Sequence, residues 1–318
     1  SPLVSGNISI SEANAKIKKF EYKGYCYRDI QVNGQLDSIK AHGNLNINDE
    51  NLKLELNGHI DWVKKNLVDI KIRIADFVPA ALNLTESHPN LRIKANTSIN
   101  LRISKIYDFW ADNLAGLIKV DSILLQNNDE EFTTQQPVKI IIDNGLSQKK
   151  QERSLIVVSK IRTFSLSGKY SYKSIPLVFK HILHKSLPTL IEKPQEDYPQ
   201  DVKIKYTVSF HHLNQLFKVL NLGLQFHGQT PDQIVGSIDG EKISLTAKFP
   251  EIKTDKGGHF KDGIIKIDNP DNGLEANMSI SIILPKDNPV AEKLGDITTS
   301  CSIFAKNDSV NLDINFEG

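Results

Sequence analysis

The sequence predicts an all-β protein, a long antiparallel sheet with a few short amphipathic helices, and three observations carry that prediction. Apolar and polar residues alternate with a period of two along almost the whole chain, turn-forming pairs punctuate the alternation, and helical periodicity is confined to small islands. Composition agrees, since 39% hydrophobic and 24% charged residues in 318 are those of a folded chain rather than a disordered one. With 39 basic against 38 acidic side chains the formal charge is +1, without the basic excess of a nucleic-acid binder.

The alternation is clearest where Leu52, Leu54 and Leu56 take one face and Lys53, Glu55 and Asn57 the other. It recurs at Leu45 and Ile47, at Ile70, Ile72 and Ile74, at Leu91 and Ile93, and at Ile99, Leu101 and Ile103. Near the C-terminus, Ile243, Leu245, Ala247 and Phe249 and then Val310, Leu312, Ile314 and Phe316 repeat it. Asp143-Asn144-Gly145 and Asp271-Asn272-Gly273 supply the positive-φ residues of tight hairpins, and Asn128-Asp129 and Asn307-Asp308 are further turns. A degenerate Gly-x-aliphatic-x-aliphatic pattern starts at Gly6 and Gly43 and is loosely echoed at Gly116 and Gly263; its irregular period suits a meander of similar hairpins rather than a solenoid.

Helical spacing is best from Ser174 to Ile191, where Ile175, Val178, Phe179, Ile182 and Leu183 share a face, Ser174 is placed to cap, and Pro176 sits in the first turn. A second helix is predicted from His212 to Asn221, and short ones near Phe77 to Asn83 and Ile106 to Asn113. The polar, twice proline-punctuated stretch Glu192 to Asp201 reads as a linker, dividing a segment 1–191 from a second β segment 202–318 that continues or stacks on the first. The longest unbroken apolar run, Phe77 to Leu82, is six residues and contains Pro79, far short of a spanning helix. The start at Ser1-Pro2, without Met or a leader pattern, predicts a piece of something longer.

Chemistry-bearing patterns are scarce. His181 and His184 stand three apart on the predicted helix but on the face away from Ile175, Val178 and Ile182, with no third ligand nearby in sequence. His211-His212 would point to opposite sides of a strand, and in Asp268 to Gly273 a proline, Pro270, occupies a position that a calcium loop needs for a ligand. No phosphate-binding loop, Gly-x-Ser-x-Gly elbow or HExxH motif is present, and Cys26 and Cys301 match no zinc or redox spacing. The expectation is a protein without catalytic residues, metal or cofactor.

The segment Phe20-Glu21-Tyr22-Lys23-Gly24-Tyr25-Cys26-Tyr27-Arg28-Asp29-Ile30, with Gly34-Gln35-Leu36 and then Gly43 to Asp61, resembles the TamB-like family of the Gram-negative envelope, within the AsmA-like superfamily. Ile47-Asn48-Asp49-Glu50-Asn51-Leu52 through Gly58-His59-Ile60-Asp61, Ala75-Asp76-Phe77 with Leu82-Asn83-Leu84, Asn113-Leu114-Ala115-Gly116 and Ser186-Leu187-Pro188-Thr189-Leu190 extend the resemblance over roughly residues 15 to 191. It implies a sheet curled into a U-shaped, β-taco-like trough with an apolar lining. It also implies a periplasmic protein, anchored in the inner membrane at full length, that carries phospholipid or assists outer-membrane protein assembly. Contact with an outer-membrane barrel would then be made by parts that this sequence does not contain.

On that reading Leu45, Ile47, Leu52, Leu54, Leu56, Ile70, Ile72, Ile74, Leu91, Ile93, Ile99, Leu101 and Ile103 line a lipid groove. The alternation alone allows two architectures. Too few helices are predicted to cover about 16 to 20 strands of ordinary length, so the sheet covers itself, by closing into a sandwich whose aliphatic face is core or by curling partly into an open trough. The alternative function on the alternation alone is a surface adhesin or carbohydrate-binding β-domain presenting Tyr22, Tyr25 and Tyr27; a β-helical polysaccharide-cleaving enzyme is disfavoured by the lack of regular coils.

Overall fold

A computed structural model describes residues 11–37, 39–61, 66–103, 111–134, 136–145, 152–160, 162–197, 200–210, 213–227, 232–270, 273–284 and 295–317. Of these, 66% lie in strands and every pairing between them is antiparallel. The chain forms two compact units, one of Ser1–Asp143 with Val158–Lys160 and the other of Asn144–Val157 with Ile161–Gly318.

Unit 1 holds β1 (Ser11–Tyr22), β2 (Tyr25–Leu36), β3 (Lys40–Asn48), β4 (Leu52–Asp61), β5 (Leu67–Phe77), β6 (Arg92–Ile103), β7 (Leu114–Asn127), β8 (Glu130–Thr133) and β9 (Val138–Asp143). β1 through β7 pair in chain order. The 14-residue β7 is edged by two short strands in line, β8 opposite Leu124 to Asn127 and β9 opposite Gly116 to Val120. The Asn128-Asp129 turn joins β7 to β8 as predicted, with Asn128 at φ 53°. Lys23 and Gly24, at φ 51° and 74°, make the β1–β2 hairpin, where positive φ at both central residues matches the strand twist.

One irregularity explains the spacing of the aromatic segment. Tyr27 and Ile30 are three apart yet both are buried in the same cluster, which strict alternation forbids. Asp29, in the left-handed region at φ 49°, is where the strand changes face while its register with β1 runs on unshifted, a conformation Asp tolerates better than most side chains. Unit 2 repeats the device in β16 (His259–Asp268), where Asp262 at φ 51° accompanies a register shift between Lys261 and Ile264.

The remaining elements of unit 2 are β10 (Arg153–Val158), β11 (Arg162–Lys169), α1 (Ser174–Ser186), β12 (Lys203–Phe210), α2 (Asn214–Val219), β13 (Leu224–His227), β14 (Asp232–Asp239), β15 (Lys242–Thr254), β17 (Leu274–Ile282), β18 (Ile297–Lys306) and β19 (Ser309–Glu317). β11, β12, β14 and β15 through β19 pair in succession, and β13 continues the line of β14 along β15. Both helices follow the predicted islands, and both are shorter than predicted. Lys173, without a side-chain cap bond, precedes α1, while the Ser171 hydroxyl accepts the Ser174 N–H at 3.0 Å and the Ser174 hydroxyl bonds back to the Ser171 carbonyl at 2.8 Å. Ser171, rather than Ser174, therefore satisfies the first turn.

Other expectations fall differently. Residues 79–83 form a turn, not a helix, because Asn83 at φ 57° breaks the right-handed run. Of Ile106 to Asn113 only the 3-10 turn Ala111–Asn113 is described. Gly6, His211-His212 and Asp271-Asn272 lie outside the described residues. The stretch expected as a linker connects two strands that pair directly, Arg162 opposite Phe210 through Lys169 opposite Lys203, so it runs inside unit 2; Pro194 is buried there. β1 pairs with β2 alone and β19 with β18 alone among the described residues, so the sheet has open edges and does not close on itself by strand pairing.

Candidate functional site

Register converts the alternation of unit 1 into rungs that cross the strands on one face. One rung runs Val32, Leu45, Leu56, Ile72, Thr97 and Val120, and the next toward the Tyr27 end runs Ile30, Ile47, Leu54, Ile74 and Ala95. On the other side lies Gly34, Gly43, Gly58, Ile70, Ile99 and Ile118, followed by Leu36, Ala41, Ile60, Val68 and Leu101. Three consecutive strands thus contribute glycine to the same rung, while β1 adds Ala13 opposite Gly34. Between two aliphatic rows a row of side chains is missing.

A cavity of about 360 Å³ fills that gap, walled by Val32, Leu36, Leu45, Leu56 and Ile60, floored by the glycines and ended by Ile70. Its floor differs from strand to strand. A Cβ on Gly43 would stand 2.7 Å from the Asn33 carbonyl oxygen and 3.1 Å from the Gly34 Cα, so β2 and β3 approach closely only without a side chain there. On Gly58 a Cβ would meet only side-chain atoms, Ile70 Cγ1 at 3.5 Å and Leu56 Cδ2 at 3.7 Å, which is ordinary contact.

The margins of the face are packed. At one, Tyr27, Ile30 and Leu82 are buried with Leu52 and Phe77 beside them, Leu82 at 1% exposure. The turn carrying Leu82 is tied to the first hairpin by Asn83, whose amide donates to the Lys23 carbonyl at 3.1 Å. Next to it Asp49, 2% exposed, accepts the Arg28 N–H and the Asn51 N–H, each at 2.9 Å, and the Tyr25 hydroxyl. Burial, and after it that bond to Asp49, raises the Tyr25 hydroxyl above its ordinary value of 10.0. At the other margin Val68, Leu101 and Ile103 are buried among Ile60, Ile99, Leu114 and Ile142.

The thirteen expected groove residues therefore divide. Leu45, Leu56 and Ile70 wall the cavity. Ile47, Leu54, Ile72, Ile74 and Ile99 lie half-buried on neighbouring rung positions. Leu52 is half-buried against the Tyr27 cluster, and Ile93 half-buried opposite Leu125. Leu91, Leu101 and Ile103 are buried. Gly34, Gly43 and Gly58, which shape the cavity, were not among the thirteen. Their signal is positional, since they stand at matching distances from the turns after β2 and β3. Tyr25 and Tyr27 pack inward edge to face, 4.9 Å between ring centroids, so no exposed triad of tyrosines stands there for a sugar.

Unit 2 treats its equivalent face otherwise. Val178 and Ile182 of α1, at 0% and 4% exposure, pack on Leu166, Ile204, Ile238 and Ile243 of β11, β12, β14 and β15. The helix end is fastened where the Thr189 N–H and hydroxyl both donate to Asp308 Oδ1 at 2.8 Å, and Lys185 pairs with Glu241. Past the helix, Met278, Ile303, Leu312 and Ile314 return to exposure. His181 Nε2 lies 3.2 Å from the Glu196 carbonyl and His184 Nδ1 2.6 Å from that of Ile191. Among the described residues no group of three or more His, Cys, Asp or Glu side chains could hold a metal ion, and no helix is long and apolar enough to cross a membrane.

No protein-family model, curated protein or solved structure matches this chain.

Proposed function

We propose that this chain is a segment of a periplasmic envelope protein whose sheet curls into a trough, and that the rungs of unit 1 form the lane along which phospholipid acyl chains pass. The observation that carries this reading is the cavity over Gly34, Gly43 and Gly58, walled by aliphatic side chains on an open sheet. The four strands from β1 to β4 are spaced about 4.8 Å apart, so their shared rung spans about 14 Å, the length of roughly eleven methylenes in an extended zigzag of 1.5 Å bonds. Each methylene kept from water is worth about 0.8 kcal/mol, so a slot of this length offsets on the order of 8 kcal/mol of the cost of moving one tail. The head group needs no pocket if it rides in solvent at the open side. The TamB-like resemblance supports the same assignment, with an inner-membrane anchor and an outer-membrane barrel partner in the full-length protein.

The test is photocrosslinking with a phospholipid carrying a photoreactive tail, run beside melting curves. The unaltered chain is expected to crosslink, and Leu54→Arg, Ile72→Glu and Gly58→Leu are each expected to lower the yield at least about tenfold while the fold survives, because a charge near an open lane can turn toward water. Absence of crosslinking in the unaltered chain, or normal yield in all three folded variants, overturns the assignment.

A further inference from the structure

We propose that Ile70 sets which way round the cavity of unit 1 takes an acyl tail: the methyl end points to β5 and stops against Ile70, and the polar end lies toward β1. The assignment rests on the cavity holding an acyl tail. Along its floor one rung runs Ala13, Gly34, Gly43 and Gly58 on β1 to β4, and on the next three strands the same rung carries Ile70, Ile99 and Ile118. The floor is low over four strands and ends in a step at β5. Ile70 leans over that end, its Cγ1 atom 3.5 Å from where a Cβ on Gly58 would stand. Together with Ile99 and Ile118 it packs on the buried cluster of Val68, Leu101 and Ile103, and a close-packed backing of this kind leaves it no room to swing aside.

Chemistry gives the step a direction. On β4 and β5 the cavity is bordered by Leu56, Gly58, Ile60 and Ile70, none of them polar. A carboxylate or phosphate pushed to that end would give up water and gain no partner, whereas a terminal methyl group has no such loss. Size agrees with a tail seated methyl end first, since three strand spacings of about 4.8 Å make about 14 Å, the extended length of a tail of about twelve carbons. Its polar end then comes to lie over β1 and β2, clear of the aliphatic step. A seated tail cannot slide farther along its own rung, because Ile70 fills the next position. It moves on only by rising over Ile70 onto the side chains of neighbouring rungs, which makes the cavity a station on the lane rather than a stretch of it.

Two photoreactive saturated fatty acids of about twelve carbons test the direction, one with a diazirine at its methyl end and one with it beside the carboxyl group. The labelled residues are mapped by mass spectrometry. The methyl-end probe is expected to label β4 and β5, and the carboxyl-end probe β1 and β2. Ile70→Ala lowers the step and should carry the methyl-end label one strand spacing, about 4.8 Å, onward to β6 beside Ile99. Ile70→Phe extends the step over Gly58, where only the Ile70 and Leu56 side chains come within 4 Å of a Cβ, and should carry the label back to β3. Ile99→Ala, on the same rung one strand beyond the step, should move neither label. Melting curves identify the variants that fold, and either folded Ile70 variant decides. A methyl-end label on β1 and β2, the same distribution from both probes, or a label that stays in place in a folded Ile70 variant overturns the assignment while leaving a tail in the cavity. No labelling of the unaltered chain by either probe overturns the assignment and the transport reading together.

Discussion

The two units bear the same alternating strands and end with different surfaces. In unit 1 the aliphatic face carries no α-helix among the described residues, and glycines on β2, β3 and β4 hollow it; in unit 2 α1 lies on the face and Val178 and Ile182 fill it. Alternation dictates that one face of a sheet is apolar but not what meets that face. A few residues decide the matter. Where the connection between two paired strands contains Ile175, Val178 and Ile182 at helical spacing, it folds back as a cover, whereas the connection after β5 is a turn that seats Leu82 at the margin, with Val78 and Leu91 buried at its two ends.

The contrast breaks most visibly under an introduced charge. Val178→Asp buries an unpaired carboxylate at a site with 0% exposure and should cost unit 2 about 3–5 kcal/mol. Leu54→Arg, on a half-buried rung of unit 1, should cost about 1 kcal/mol, part of the value of a fully buried leucine. Chemical denaturation followed by hydrogen exchange in each unit reads both values. Equal losses would mean that the face of unit 1 is covered as fully as that of unit 2.

A smaller effect distinguishes positions within the hollow. Gly43→Ala drives a Cβ to 2.7 Å from the Asn33 carbonyl, a backbone atom that cannot turn aside, and should destabilise unit 1 by about 1–3 kcal/mol. Gly58→Ala meets only Ile70 and Leu56 side chains at ordinary distance and should be neutral or stabilising by about 0.5 kcal/mol, because the glycine it replaces loses more conformational freedom on folding. Denaturant midpoints of the two variants check the ranking. The reverse order would mean that the β2–β3 approach is looser than 3.1 Å between the Gly43 Cβ position and the Gly34 Cα.

Most strands were legible because each carries its own evidence. Leu52, Leu54 and Leu56 announce β4 without reference to a neighbour, and Asn307-Asp308, at φ 49° and 62°, announces the last hairpin. What depends on two segments at once was not. The glycine rung exists only once register sets Gly34 opposite Gly43 and Gly43 opposite Gly58. The face switch at Asp29 is invisible to a period-two reading, since it is a single residue out of step whose evidence is a positive φ. The stretch after α1 reads as a linker because it is polar and rich in proline, but β11 and β12 pair across it, a long-range contact that local composition does not report. Leu101 and Ile103 share their alternation with Leu54, and only packing against Leu114 and Ile142 buries them where Leu54 stays half-buried.

A pH-dependent effect lies at the margin of unit 1, where Tyr25 holds Asp49, and it sharpens the comparison because it acts on one unit alone. Burial first, and the bond to Asp49 second, raise the folded-state value of the Tyr25 hydroxyl above 10.0. A group whose folded value is raised contributes stability that is fully present below its unfolded value and is lost as pH rises through the folded one. Unit 1 should therefore hold its stability up to about pH 10 and weaken above it as the proton bound between Tyr25 and Asp49 is removed and two negative charges are left face to face. Tyr25→Phe should cost about 1 kcal/mol at neutral pH, since Asp49 keeps its bonds from the Arg28 and Asn51 N–H groups, and should flatten part of the alkaline decline. Hydrogen exchange at β2 and β4 as a function of pH measures it. The same decline in the variant as in the unaltered chain would assign the alkaline sensitivity of unit 1 to Tyr27, whose value burial also raises.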